Sequence, residues 1–145
     1  TGVKIFDNSW QKYKDCYCFG GLTSQFVTEW RDTQQIKLKY ALTDSGWLDE
    51  FEKQDGFKIF LDHHPENFQR VTRNKDIELI QSGHAHGGQI RILGQGLYAP
   101  HQGFFPTYTH GVYEERLVVS SGLSNPKPIH RIGNPKEIVL VNISN

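Results

Sequence analysis

Two short clusters of histidine carry most of the chemistry in this sequence. Gly83-His84-Ala85-His86-Gly87-Gly88-Gln89 sets two imidazoles one residue apart between glycines, and His63-His64-Pro65 sets a second pair against a rigid proline. Imidazole nitrogen suits Zn, Fe and Ni and, together with carboxylates, Mn. On a tight turn the rings of His84 and His86 can point toward neighbouring metals, and glycines on both sides permit close backbone approach. The competing reading of His84 and His86 is a pair of loop histidines hydrogen-bonded to backbone. For His63 and His64 it is a rigid strand exit imposed by Pro65. Adjacent side chains diverge, so one of these two is expected to ligate rather than both. Asp62 offers a carboxylate ligand or an acceptor for an imidazole N–H. His101, His110 and His130 are isolated in the sequence and are expected to fill structural or solvent-facing roles.

Such side chains need elements that deliver them to one place. Residues 57–61 and 77–80 are short apolar runs that read as core strands, and each histidine cluster follows one of them. Loops beyond the carboxyl ends of strands are where open α/β sheets place ligands. Residues 3–6 and 17–19 read as two further strands. Leu38, Leu42 and the Trp47-Leu48-Phe51 group fall at helical spacing, with Asp44 or Ser45 as a cap. A short helical or turn segment is expected over residues 66–71. This alternation is an α/β signature. Beyond it the spacing predicts short strands at 89–93, 116–120 and 137–142, separated by glycine turns, with an aromatic-rich loop over 97–113.

The bulk numbers narrow the function classes. The chain has 145 residues, enough for one domain, and its 37% apolar and 12% aromatic content argues against disorder. Sixteen basic residues balance sixteen acidic ones with no block of like charge, so neither a stable nucleic-acid complex nor a polybasic membrane patch is expected. No apolar stretch reaches the roughly eighteen residues that cross a bilayer. Cys16 and Cys18, the only cysteines, are expected to be reduced. Neither a dinucleotide fingerprint nor a P-loop occurs, and Ser120-Ser121-Gly122 is not a nucleophile elbow.

Three blocks together resemble the carboxyl-terminal half of a calcineurin-like metallophosphoesterase. They are Phe60-Leu61-Asp62-His63-His64-Pro65, Ser82-Gly83-His84-Ala85-His86-Gly87-Gly88-Gln89, and a tail in which Val119-Ser120-Ser121-Gly122-Leu123 and Pro128-Ile129-His130-Arg131 precede Asn134-Pro135-Lys136-Glu137-Ile138. The extended Gly-His-Ala-His-Gly-Gly-Gln form is similar to a bacterial subgroup that includes membrane-associated and lipid-linked phosphate hydrolases. The resemblance implies an α/β fold, part of a four-layer sandwich of mixed β-sheets flanked by helices. It implies two divalent metal ions (Mn, Fe, Zn or Ni), with His63 and His84 on one and His86 on the other. It also implies that His64, beside the site, approaches a phosphate oxygen as a catalytic group. The reaction expected is hydrolysis of a phosphate mono- or diester by water activated between the metals.

A complete member of that family carries an Asp-x-His, a Gly-Asp and a Gly-Asn-His upstream of these blocks, and none of them occurs upstream of Phe60 in this sequence. Residues 1–145 are therefore expected to be the carboxyl-terminal portion of the domain, inactive alone. The expected partner is a phosphate-ester small molecule or a lipid-linked phosphate. A homodimer through an exposed sheet face and peripheral membrane association of the full-length protein are further expectations, in a cytoplasmic or membrane-associated setting. Two rival readings remain: a non-catalytic module of similar ancestry for packing or partner binding, and an unrelated mononuclear hydrolase using His84, His86 and Asp62.

Overall fold

In the computed structural model, residues 2–23, 46–124 and 130–144 are described. The chain begins with a hairpin, β1 (Ser9–Tyr13) and β2 (Tyr17–Leu22), paired antiparallel. A two-turn helix α1 (Gly46–Glu52) leads to β3 (Phe57–Asp62). A 3-10 turn (Pro65–Asn67) and a π turn (Phe68–Thr72) then lead to β4 (Leu79–Ser82). Four two-residue strands follow: β5 (Arg91–Ile92), β6 (Gln95–Gly96), β7 (Tyr98–Ala99) and β8 (Gly103–Phe104). The last strands are β9 (Gly111–Tyr113) and β10 (Leu117–Val119).

Six of these make one mixed sheet in the order β1-β2-β3-β4-β10-β9. Strands β2, β3, β4 and β10 run parallel, and the edge strands β1 and β9 are antiparallel to their neighbours. The remaining four pair as two small ribbons, β5-β6 and β7-β8. The architecture is thus α/β, a mixed sheet flanked by short helical segments.

Period-two alternation explains which face became the core. Cys18, Phe60, Ile80, Leu117 and Val119 are all buried in one cluster, together with Leu48 and Phe51 of α1, Phe68 and Tyr108. Trp47 stacks flat on Phe60 with ring centroids 6.0 Å apart, and Phe51 tilts against the same ring at 5.9 Å. Gly20 lets the helix approach, because a Cβ there would stand 3.2 Å from the Phe51 ring. The same face of β3 ends in Asp62, so a carboxyl is carried into the buried layer where the strand stops.

Several expectations shift. Residues 3–6 form no strand, and the edge strand β1 lies further along in a polar run. The solvated edge explains this, since an edge strand tolerates polar side chains. Trp47, Leu48 and Phe51 do share a helix, whereas Leu38, Leu42 and the caps at Asp44 or Ser45 lie outside the described residues. The strand expected at 89–93 shortens to β5 because Gln89 has φ +56° and turns the chain. Residues 137–142 form no strand, and Ile138 and Leu140 are exposed. Cys16 is exposed, Cys18 is buried, and they form no disulfide. Among the described residues no helix is long and apolar enough to cross a membrane.

Phe60 touches both aromatic side chains of α1, so Phe60→Ala is expected to cost about 3–5 kcal/mol in urea denaturation. Leu61→Ala, one residue on and 38% exposed, is expected to cost far less. Equal losses would contradict this assignment of the core face.

Candidate metal centre

The exit of β3 is built by its last residue. The Asp62 carboxylate accepts the backbone N–H of His64 at 3.0 Å and Nδ2 of Asn67 at 3.2 Å, folding the chain back over the strand end. His64 is extended (φ −102°, ψ 99°), as a residue before proline should be, and Pro65 opens the 3-10 turn. Burial pushes the Asp62 carboxyl up to about 7, against the lowering effect of those two hydrogen bonds.

β4 brings the second cluster to the same level. It pairs in parallel with β3 through Phe60↔Ile80 and Leu61↔Gln81, and Gly83 N–H continues the ladder to the His63 carbonyl at 3.2 Å. His84 Nδ1 therefore lies 3.2 Å from His63 Nε2, and the His84 and His64 ring centroids are 4.1 Å apart. His101, carried on the turn between β7 and β8, stacks on His84 at 4.9 Å and 12°, with Nδ1 2.8 Å from His84 Nε2. Glu66, in the 3-10 turn, places Oε1 3.3 Å from His64 Nδ1 and 3.7 Å from His101 Nδ1.

His64, Glu66, His84 and His101 thus each offer one donor atom, all within 4.8 Å of one another. Four donors around a tetrahedral ion with bonds near 2.1 Å would be about 3.4 Å apart. The donor set fits a cation electrostatically. Both Glu66 oxygens are buried without a hydrogen-bond donor of good geometry, a costly condition that a bound cation relieves. Burial works against ionisation of Glu66, but the neighbouring His64 outweighs it and holds the carboxyl below its ordinary value. His84 is pushed down to about 3, first by burial and then by His64 and His63. Burial likewise lowers His63, His86 and His101. Neutral imidazoles keep the lone pair that a metal needs.

Of the residues singled out from sequence, the structure gathers His63, His64 and His84 at one strand-end cluster. His64 and His84 belong to the four-donor group, and His63 flanks it within hydrogen-bonding distance of His84. His86 stands outside the group, though its charge is felt by His63. Asp62 shapes the β3 exit. Two members were not anticipated. His101, expected to stand alone, stacks on His84; nothing local in its aromatic loop marks it. Glu66 follows His64 by two residues, and that spacing was the available signal. His110 instead meets Arg91 Nη2 at 2.6 Å.

No family model matches the chain, and no solved structure matches it. An uncharacterized metallophosphoesterase of Campylobacter jejuni is 37% identical over 89 residues, covering 59% of this chain and 22% of that protein. The likeness is to a metallophosphoesterase, and this chain carries a cluster of side chains compatible with a metal ion. The uncharacterized protein YpbG of Bacillus subtilis is 31% identical over 85 residues, 59% of this chain and 30% of its own length. Homeobox protein NANOG of Gallus gallus is 33% identical over 97 residues, 59% of this chain and 31% of that protein. The chain spans between 22% and 31% of the length of these curated relatives.

A half-buried imidazole and a buried carboxyl oppose each other in the pH dependence of the metal-free chain. Unfolding returns His84 from about 3 to 6.5, so the unfolded state takes up its proton first and stability falls as pH drops from 6.5 toward 3. Asp62 goes from about 7 to 3.8 on unfolding, so its contribution is full below 3.8 and is lost as pH rises through 7. Asp62→Asn removes the second effect and keeps the oxygen acceptor. Its urea midpoint is expected to fall more steeply than that of the unsubstituted chain between pH 7 and pH 5. Parallel slopes would contradict the assigned burial of Asp62.

Proposed function

We propose that this chain is the carboxyl-terminal, metal-binding portion of a phosphoesterase that hydrolyses phosphate mono- or diesters. The observation that carries the reading is the meeting of three imidazoles and one carboxylate from three separate loops at the carboxyl ends of the parallel strands of the mixed sheet. His64, Glu66, His84 and His101 hold one divalent cation, with His63 alongside His84. His86 serves a second. When bound, such cations (Mn, Fe, Zn or Ni) supply Lewis acidity toward phosphoryl oxygens and water.

The chain's own groups bind, orient and exclude. Asp62 fixes the backbone that aims His64. Burial keeps His84 unprotonated across the neutral range. His64, packed against His84 and paired with Glu66, is assigned in this reading to the cation and not to a phosphate oxygen. The exposed Tyr98, Phe104 and Phe105 on the ribbon that carries His101 suit an apolar or lipid-linked leaving group. The second sheet of a four-layer sandwich, with the Asp-x-His, Gly-Asp and Gly-Asn-His ligands, belongs in this reading to polypeptide outside the chain. The Gly-His-Ala-His-Gly-Gly-Gln sequence supports assignment to the bacterial subgroup.

Titration with Co(II), followed by visible absorption, tests the metal reading. The unsubstituted chain is expected to bind, and His84→Ala and Glu66→Gln to weaken binding at least about tenfold. Absence of binding, or binding indifferent to both substitutions, would refute it. With Mn(II) or Co(II), hydrolysis of bis(p-nitrophenyl) phosphate is expected to stay at the level of a His84→Ala/His86→Ala control. Turnover above that control would show that the chain is a complete catalyst.

A further inference from the structure

An open cleft of about 400 Å³ lies at the carboxyl ends of β2, β3 and β4. Its lining includes Leu61 and Gln81, neighbours across the ladder that alternate with the core residues Phe60 and Ile80 and so lie on the opposite face of the sheet. Leu22, at the end of β2, and His63, just past β3, also border it. The N-terminal segment supplies Lys4 and Phe6. Gly21 lets that segment pass close over β2, since a Cβ there would stand 2.6 Å from the Phe6 Cβ.

This lining has a definite chemistry. Phe6, Leu22 and Leu61 are apolar, whereas Lys4 and Gln81 are polar. Among the described residues the Lys4 ammonium forms no ion pair and the Gln81 carboxamide no hydrogen bond. Asp62 borders the cleft too, but its carboxylate is engaged with the His64 N–H and with Asn67. Lys4 therefore sets the sign of the local field, which favours an anion. The volume falls in the range of small-molecule sites and suits a compact ring system better than a long lipid chain. His63 is the wall that the cleft shares with the metal cluster, because its ring is exposed and its Nε2 lies 3.2 Å from His84 Nδ1.

We propose that this cleft is the subsite for the organic group of an anionic, ring-bearing phosphate ester. Phe6, Leu22 and Leu61 cover the ring, Gln81 serves its polar atoms, and Lys4 attracts its charge. The phosphoryl end lies toward His63 and the cation. This rests on the phosphoesterase reading and narrows the substrate to an ester of a compact aromatic or heterocyclic group.

Nuclear magnetic resonance titration of the whole chain with naphthyl phosphate and with naphthol, in the presence of Zn(II), tests it. Both ligands are expected to shift the amides of Leu22, Leu61 and Gln81. Phe6→Ala is expected to weaken both ligands about fivefold, through loss of an aromatic wall. Lys4→Ala is expected to weaken naphthyl phosphate alone, about fivefold, as an exposed charge pair does. Neither residue belongs to a strand, so both variants keep the sheet. Shifts confined to Tyr98, Phe104 and Phe105 would move the organic group to the aromatic ribbon and overturn the proposal. Affinities indifferent to both substitutions, or equal for the two ligands, would overturn it as well. Omitting zinc is expected to weaken naphthyl phosphate and leave naphthol unchanged. Binding of naphthyl phosphate that is indifferent to zinc, yet still falls in Phe6→Ala and Lys4→Ala, would refute the phosphoesterase reading while sustaining the subsite.

Discussion

Everything at this site depends on the parallel register of β3 and β4. The ladder pairs Ile59 with Leu79, Phe60 with Ile80 and Leu61 with Gln81, and it runs one step past the strands through Gly83 N–H and the His63 carbonyl. Two apolar runs far apart in sequence therefore stop at the same height, and the histidines that follow each of them must meet. Register in a buried sheet is strongly specified, because a one-residue slip would turn Phe60 and Ile80 out of the core. Core packing on one face thus fixes ligand geometry at the end.

The second requirement is dehydration without loss of the imidazole lone pair. Partial burial, together with the neighbouring His64 and His63, pushes His84 down to about 3. Burial is also costly for Glu66, a carboxylate shielded from water among these rings. Clusters of this kind are poor stabilisers alone and make physical sense when a cation completes them. Asp62 is a third buried ionisable group, yet its place is under the backbone of His64, where it shapes the loop instead of facing the rings. Over 59% of its length the chain is also similar to an uncharacterized metallophosphoesterase.

How much of this could be read from sequence follows from the range of each interaction. The apolar runs of β3, β4 and β10 announce themselves because burial on a parallel sheet needs continuous hydrophobicity. The histidines that terminate the first two come with them. The edge strand β1 is polar and gives no such signal, whereas residues 3–6 and 137–142 have strand-like composition without a strand partner among the described residues. His101 enters the cluster only because the β7-β8 ribbon folds its turn onto His84, a tertiary event with no local signature. Glu66 was closer to legible, two positions beyond His64 across a proline, a spacing that returns a short turn toward the preceding side chain. His86 and Asn134 show the converse: both sit in recognisable motifs, but the hydrogen bonds that join them cross from one block to the other.

The central claim is that imidazoles from the β3 exit, the β4 exit and the β7-β8 turn converge on one cation. X-ray absorption at the zinc edge of the zinc-loaded chain measures that directly, because histidine rings give outer-shell scattering that carboxylates and water do not. The account predicts a first shell of nitrogen and oxygen at about 2.0–2.1 Å with three imidazole rings, falling to two in His101→Ala. A spectrum with one ring or none, or one unchanged by His101→Ala, would contradict it.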